Sequence, residues 1–312
     1  MDGTRDGVTN RDGDDALDGL PLETAIERAA GDDDRETVES ALRLAADEET
    51  VSWEAVEAEL ATVSKVVATP ETRLELATAA VDDAHEAAAG VADEPTVVRR
   101  LGALDDRLAT VSESVSELAP ALSDVADRTG EPGELYGVAA DLRQLRERAN
   151  DQQIAADELI DEAETVEAWL ESADRRRREF SSDLDALAST IDGTETALKR
   201  LDGDADYGDA TGDGDGAAID AAASHVVSGL LIADLRAELS TLRDWPGDDG
   251  VDWEEPADRL DRLATRREAL GERVEATAGE TVADLEAAVG ETEPPVAWER
   301  VRAAINDYRP AR

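Results

Sequence analysis

The chain has 312 residues, and its 77 acidic residues against 31 basic ones give a formal net charge of −46 at pH 7. A field of this sign repels polyanions, which excludes nucleic acid as an expected partner. The sequence contains no cysteine, so disulfides, thiol catalysis and cysteine-ligated zinc are excluded. Periodic aliphatic residues over long stretches favour a folded helical chain over the disorder that such charge often accompanies.

The N-terminal part predicts a tail followed by short helices. Residues 1–19 are rich in Asp, Gly and Thr and lack an apolar signal core, which predicts a disordered acidic tail. Residues 20–93 show short apolar stripes separated by stop signals such as Gly31, a candidate C-cap. Ser52 is a candidate N-cap for the third of these helices, and Pro70 predicts the start of a fourth. Together they predict a small N-terminal helical bundle.

Residues 94–201 carry the strongest pattern and predict a coiled-coil hairpin. Its first seam alternates steps of three and four residues through Leu101, Leu104, Leu108, Val111, Val115, Leu118, Leu122 and Val125. This heptad spacing keeps one stripe facing a partner helix, with a kink expected at Pro120. Glycine and proline predict a turn over 129–133. A second seam without proline predicts one long helix over 134–201, whose weakest point is Gly193.

The C-terminal part predicts helices that pack on the second half of this long helix. An acidic Gly/Asp loop over 202–216 precedes them, and residues 217–312 contain two further apolar stripes. The predicted fold class is therefore all-α, as an elongated antiparallel coiled-coil or three-helix arrangement around one long helix, plus the small N-terminal helical bundle.

A phrase of the form Val-x-Trp-Glu occurs three times, at 51–54, 251–254 and 296–299. Each copy stands where a helix is expected to begin. We interpret it as a helix start, in which the valine staples the first turn and the tryptophan covers the end of a bundle. A repeated binding epitope is the alternative, but the irregular spacing argues against a tandem repeat.

The acidic loop offers the candidate metal ligands. Asp202, Asp204, Asp206 and Asp213 resemble the alternating oxygen ligands of a calcium-binding EF-hand loop. Tyr207 stands where that motif requires glycine, and Asp213 replaces its closing glutamate. Acidic, glycine-rich linkers are also ordinary in a chain of this composition.

Catalytic chemistry finds little support in the residue inventory. His85 and His225 are isolated, and we expect packed or solvated helix residues at both positions. Lys65 and Lys199 do not follow glycine, as a phosphate-binding loop would need. Arg175, Arg176, Arg177 and Arg178 lie beside acidic residues and predict ion pairing along a helix. We therefore expect no enzyme activity and no cofactor.

The composition is similar to that of haloarchaeal cytoplasmic proteins, which combine excess Asp and Glu with scarce lysine. In molar salt the Debye length falls to about 3 Å, which screens the self-repulsion. The seams over 101–125 and 135–201 resemble those of haloarchaeal coiled-coil proteins labelled transducer-like, after the cytoplasmic part of chemoreceptors. The polar, alanine-rich signalling tip of true transducers is not recognisable at 129–133.

The expected function is that of a non-enzymatic coiled-coil scaffold or adaptor in a halophilic cytoplasm. It would act through helix–helix contact with a protein partner or with a second copy of the chain. No apolar run reaches the roughly 18 residues of a membrane span, so none is expected. The alternative is a calcium sensor that uses the loop 202–216.

Overall fold

The fold of the chain is all-α in the computed structural model, as predicted. The described residues are 17–31, 34–207, 214–246, 250–290 and 292–308, and side chains are described over the same ranges except 202–207 and 214–215. Contacts group the chain into two units. Unit 1 comprises Met1–Ala84 and Gly102–Thr165, and unit 2 comprises His85–Leu101 and Val166–Arg312.

The N-terminal part of unit 1 contains two short helices and a hairpin. Helix α1 spans Leu22–Ala29 and α2 spans Arg35–Leu44. The strands β1 (Ala46–Asp47) and β2 (Thr50–Val51) pair antiparallel, which the helical prediction missed. Both turn residues between them have positive φ, 44° at Glu48 and 68° at Glu49, as a tight two-residue hairpin turn requires.

Helix α3 spans Trp53–Ala87 and contains Pro70 in its interior. The prediction that Pro70 starts a fourth helix is therefore wrong. The buried stripe of α3 runs through Val63, Val67, Pro70, Ala77, Val81 and Ala84 without losing its helical spacing. Burial of this continuous stripe outweighs the hydrogen bond that the proline removes.

The first heptad seam forms two helices, α4 (Pro95–Ser116) and α5 (Leu118–Arg128). The interruption lies at Glu117, three residues before Pro120, rather than at the proline itself. A proline clashes with the carbonyl four residues earlier, which here belongs to Ser116. The predicted turn over 129–133 forms, and Gly130 and Gly133 adopt φ values of 84° and 85°.

The predicted single helix over 134–201 is wrong. The structure has α6 (Leu135–Glu171) and α7 (Ala173–Tyr207), which are separated at Ser172. Gly193 lies within α7 and does not interrupt it. Because α7 extends to Tyr207, the first residues of the predicted loop 202–216 are helical.

The remaining helices are α8 (Gly214–Arg243), α9 (Glu254–Val289) and α10 (Trp298–Tyr308). In unit 2, α7, α8 and α9 pack on one another as a three-helix bundle, and α10 packs on α9. Arg259 of α9 contacts Asp185 of α7, and Arg266 lies 2.7 Å from Asp192 further along the same two helices. Helices α7 and α9 are therefore parallel to each other, and α8 runs antiparallel between them.

Unit 1 has its own core. Most residues that build it come from α1, α2, α3, α5 and α6, and the largest fully buried ones are Leu17, Ile26, Leu42, Leu118, Leu135 and Leu142. Leu17 precedes α1 and lies in the predicted disordered tail 1–19, so that prediction is wrong for residues 17–19, where the burial of Leu17 fixes the chain. Arg107 of α4 contacts Glu158 and Glu162 of α6, and Arg148 of α6 lies 3.1 Å from Glu117. The first seam and α6 are thus antiparallel in this unit.

Helix α8 is the most apolar helix of the described residues. Its segment Gly216–Arg243 is long and apolar enough to cross a membrane by length and composition, and a helix in the core of a bundle shares these properties. The expectation of no membrane span stays a prediction.

Candidate functional site

The junction between α6 and α7 is closed by a serine and an arginine. The carbonyl of Ser172 accepts hydrogen bonds from the backbone N–H groups of Arg175 and Arg176, each at 3.0 Å. The Ser172 hydroxyl accepts a further bond from the Arg175 N–H at 3.3 Å, as an N-cap does. Ser172 therefore begins α7 by satisfying backbone donors that a helix start leaves unpaired.

The Arg176 guanidinium caps the other side of this junction. Its Nη1 donates to the carbonyls of Trp169 and Leu170 at 2.7 Å and 2.6 Å. Only 2% of Arg176 is exposed. A cation at the C-terminal carbonyls of α6 also complements the helix dipole. The predicted surface ion pairing does not describe Arg176, whereas Arg177 lies 3.8 Å from Glu255.

Two tryptophans cover the junction. Trp169 and Trp245 meet edge to face with ring centroids 5.2 Å apart. The Arg176 guanidinium lies 4.3 Å from the centre of the Trp245 ring, and the Arg100 guanidinium lies 4.2 Å from that of Trp169. Stacking of this kind stabilises a partly dehydrated guanidinium by about 1–2 kcal/mol. The aromatic rings thus replace water around both arginines.

Beside this stack lies a group of charged side chains that we name the acidic–arginine cluster. Its members are Arg99, Arg100, Glu179, Asp183, Asp234 and Glu238. The carboxylates come in two pairs with a spacing of four residues, which places each pair on one face of its helix, α7 or α8. The two arginines come from the first turns of α4.

The short contacts of the cluster are unevenly distributed. Arg100 donates a hydrogen bond to Glu179, and Arg99 lies 3.2 Å from the carboxylate of Asp234. Glu238 lies 3.8 Å from the Arg100 Nη2, which is beyond hydrogen-bonding distance. Arg100 is therefore committed mainly to Glu179.

Burial changes the ionisation of two cluster carboxylates. Desolvation raises the pKa of Glu238 to about 7, because only 8% of the residue is exposed and Arg100 compensates incompletely. Burial, with the nearby charge of Glu179, also raises the pKa of Asp183 above its ordinary value. Both shifts favour the protonated carboxyl, and for Glu238 the change between its neutral and ionised forms falls near neutral pH.

Asp234 links the cluster to the third Val-x-Trp-Glu phrase. Its carboxylate accepts hydrogen bonds from the backbone N–H of Val296 at 2.9 Å and from the Trp298 Nε1 at 3.1 Å. The sequence prediction did not single out Asp234 or any other member of the cluster. The signal that exists in the sequence is the pair of acidic residues four apart on each of two apolar helices.

All three Val-x-Trp-Glu phrases stand at helix starts, as predicted. Trp53 begins α3, Trp253 is the N-cap residue of α9 and Trp298 begins α10. Ser52 caps α3 through its hydroxyl, which accepts a bond from the Ala55 N–H at 3.2 Å. The Trp253 ring packs edge to face on Phe180 with centroids 6.0 Å apart, and the Trp298 Nε1 donates to Asp234, so both of these rings join their helix start to a neighbouring helix.

The two histidines lie in different surroundings, half-buried at His225 on α8 and exposed at His85 on α3. Burial, with a smaller contribution from Arg267, lowers the pKa of His225 to about 4, so the ring is neutral at neutral pH. The Arg267 Nε donates to the His225 carbonyl at 3.1 Å. A Cβ at Gly229 would lie 2.7 Å from the Arg267 Nη2, so the glycine makes room for that guanidinium.

The candidate metal ligands have side chains outside the described part of the chain. Asp202, Asp204 and Asp206 lie on the helical end of α7, but their side chains are outside the described residues. Asp213 is also outside them. Within the described ranges, no group of three or more His, Asp or Glu residues could hold a metal ion.

Comparison with protein-family models, with curated proteins and with solved structures finds no match.

Proposed function

We propose that the chain is a non-enzymatic helical scaffold or adaptor in the cytoplasm of a halophilic cell such as a haloarchaeon. It acts through helix–helix contact with a protein partner or a second copy. The observation that supports this most is the small set of exposed large hydrophobic side chains among the described residues. These are Leu76 (50% exposed), Val98 (54%) and Ile154 (56%).

Two of these side chains belong to one seam of unit 1. Arg73 of α3 and Asp157 of α6 form an ion pair at 3.4 Å. Leu76 follows Arg73 by three residues and Ile154 precedes Asp157 by three, so each lies about one helical turn from the bridge. Leu76 and Ile154 thus flank the α3–α6 seam, and we name this pair the seam patch.

The salt dependence of electrostatics supports an apolar contact at the seam patch. In dilute buffer a chain with a net charge of −46 repels its own copies and other acidic proteins. At molar salt the Debye length is about 3 Å, so this repulsion acts only between touching charges. Burial of exposed leucine and isoleucine then favours association at about 25 cal/mol per Å² of apolar area.

The buried polar groups support a structural rather than a chemical role. Arg176 caps a helix and Asp234 fastens the start of α10. His225 packs in the α8–α9 contact, where a Cβ at Gly271 would lie 3.4 Å from its ring. Each of these groups is used to join helices. The same contacts favour a bundle role for α8 over a membrane span, because Asp234 and Glu238 lie on it.

The test is sedimentation at molar potassium chloride of the wild-type chain and the double variant Leu76→Glu/Ile154→Glu. We expect wild-type association that strengthens with concentration, and its loss in the double variant. Val98→Glu is the matched control, because Val98 is equally exposed but lies in unit 2, and it should associate like the wild type.

A partner other than a second copy requires a further arm of the test. Proteins captured from a haloarchaeal extract at high salt would be compared between the wild type and the double variant. A captured protein that the double variant loses and Val98→Glu retains supports an adaptor. A monomeric wild type whose captured proteins are identical in all three chains would overturn the proposal.

A further inference from the structure

The acidic–arginine cluster joins three separate parts of unit 2. Arg99 and Arg100 come from the first turns of α4, and Asp234 of α8 contacts Arg99 at 3.2 Å. The same Asp234 carboxylate accepts the N–H of Val296 and the Nε1 of Trp298, which lead into α10. The start of α4 and the start of α10 are therefore both fastened to one carboxylate on α8, one turn away from Glu238.

The charges of this cluster do not balance when all its members are ionised. Two guanidiniums, from Arg99 and Arg100 on α4, face four carboxylates. The carboxylates are Glu179 and Asp183 on α7 and Asp234 and Glu238 on α8. One proton reduces the excess negative charge by half.

Geometry selects the carboxylate that takes this proton. Glu179 and Asp234 have the short contacts with Arg100 and Arg99. Glu238 is more than nine-tenths buried, and its nearest guanidinium nitrogen is 3.8 Å away. Removal from water disfavours a charge that is not closely paired.

We propose that Glu238 is a proton-controlled latch: when protonated it keeps the starts of α4 and α10 on α8, and when ionised it loosens them. The physical cause is the cost of a buried, dehydrated charge, which Arg100 offsets only in part and which the nearby charges of Asp183 and Glu179 increase. Separation of the helix starts that cover Glu238 admits water and relieves this cost. The pKa of about 7 for Glu238 places the transition near neutrality. This inference does not depend on the scaffold role.

The test is hydrogen–deuterium exchange of the Val296 amide in the full-length chain, which is protected by Asp234. Exchange would be measured at about pH 6 and about pH 8.5 and corrected for the intrinsic rate. If Glu238 regains its ordinary pKa of 4.5 on opening, the opening equilibrium should rise about tenfold over this interval. In Glu238→Gln, which cannot ionise, the corrected protection should be the same at both pH values.

Two further variants make the result interpretable. Glu272→Gln removes an exposed carboxylate of α9 and should keep the wild-type response. Asp183→Asn removes one repulsive neighbour of Glu238 and should move the pH-dependent change in Val296 protection to lower pH. This variant tests the latch even if Glu238→Gln does not fold. Wild-type protection that does not change with pH would overturn the proposal. So would a pH response that persists in Glu238→Gln.

Discussion

Pro70 in α3 and Ser172 between α6 and α7 show two opposite responses of a long helix to its local sequence. Helix α3 continues through Pro70, although proline usually ends a helix. Helix α6, in contrast, ends just before Ser172, although the heptad seam contains no proline or glycine there. The chemistry of the neighbours differs between the two places, and that difference decides the outcome.

The buried stripe of α3 that contains Pro70 is apolar. Pro70 is buried in the same stripe as Val67 and Ala77, so breaking the helix there would expose this stripe. At Ser172 polar groups lower the free-energy cost of interrupting the helix. The Ser172 hydroxyl and the Arg176 guanidinium satisfy the backbone groups that the interruption leaves unpaired. A helix therefore ends where its free backbone groups find partners.

The largest expected effect is that of Arg176→Ala. This change leaves the carbonyls of Trp169 and Leu170 without their buried donor and removes the stacking partner of Trp245. We expect a loss of about 3 kcal/mol in the free energy of unfolding, measured by urea denaturation at molar salt. Arg178→Ala, an exposed neighbour, should change it by less than about 0.5 kcal/mol. Equal effects of the two changes would contradict the capping role.

Glu238→Gln extends the comparison to a polar group that is not fully satisfied. The folded-state pKa of Glu238 is raised, so ionisation of this residue lowers the stability of the folded chain. This loss of stability is absent below the ordinary pKa of 4.5 and grows as the pH rises towards about 7. Above that pH the cost is constant, at about 3 kcal/mol. The variant should therefore be more stable than the wild type by up to that amount at about pH 8 and nearly equal to it at about pH 4.5.

Thermal unfolding of both proteins across this pH range measures the difference. Glu272→Gln should follow the wild-type curve at every pH. A stability difference between Glu238→Gln and the wild type that does not vary with pH would argue against ionisation of the buried group.

Ser172→Ala tests the other half of the junction. Loss of an N-cap hydroxyl should cost about 1 kcal/mol of unfolding free energy, because the Arg175 N–H loses its side-chain acceptor. Ser182 is exposed on the same helix, so Ser182→Ala is the matched control and should be nearly neutral. Urea denaturation of the pair measures the difference, and a neutral Ser172→Ala would assign the junction to Arg176 alone.

The smallest expected effect is that of Pro70→Ala. The substitution restores a helix hydrogen bond worth up to about 3 kcal/mol in propensity. It also removes buried ring carbons and frees the unfolded chain, and both of these oppose the gain. We expect a net change within about 1 kcal/mol, measured by thermal unfolding. A gain above about 2 kcal/mol would show that α3 is strained at Pro70.

Much of the helical layout could be predicted because it depends on local spacing. The buried seam residues Val111, Val115 and Leu118 lie at the predicted steps of three and four. Gly130 and Gly133 mark the predicted turn because their positive φ suits glycine. The three Val-x-Trp-Glu phrases mark helix starts for the same local reason.

The acidic–arginine cluster could not be predicted in this way. Arg100 and Glu179 are 79 positions apart, and Arg99 and Asp234 are 135 apart. Acidic pairs four residues apart are common throughout a chain with 77 acidic residues. The local sequence around Asp234 and Glu238 does not distinguish this pair from the acidic pairs that face solvent.

The sequence by itself determined that this chain is all-α, where most of its helices begin and which stripes they bury. These properties follow from backbone propensity and from the period of apolar residues, both of which act over a few residues. Only the tertiary structure decided that α3 continues at Pro70, that the long seam ends at Ser172 and that Glu238 is buried. Those outcomes depend on dehydration and on partners from distant helices, because the cost of an unpaired polar group is set by what surrounds it.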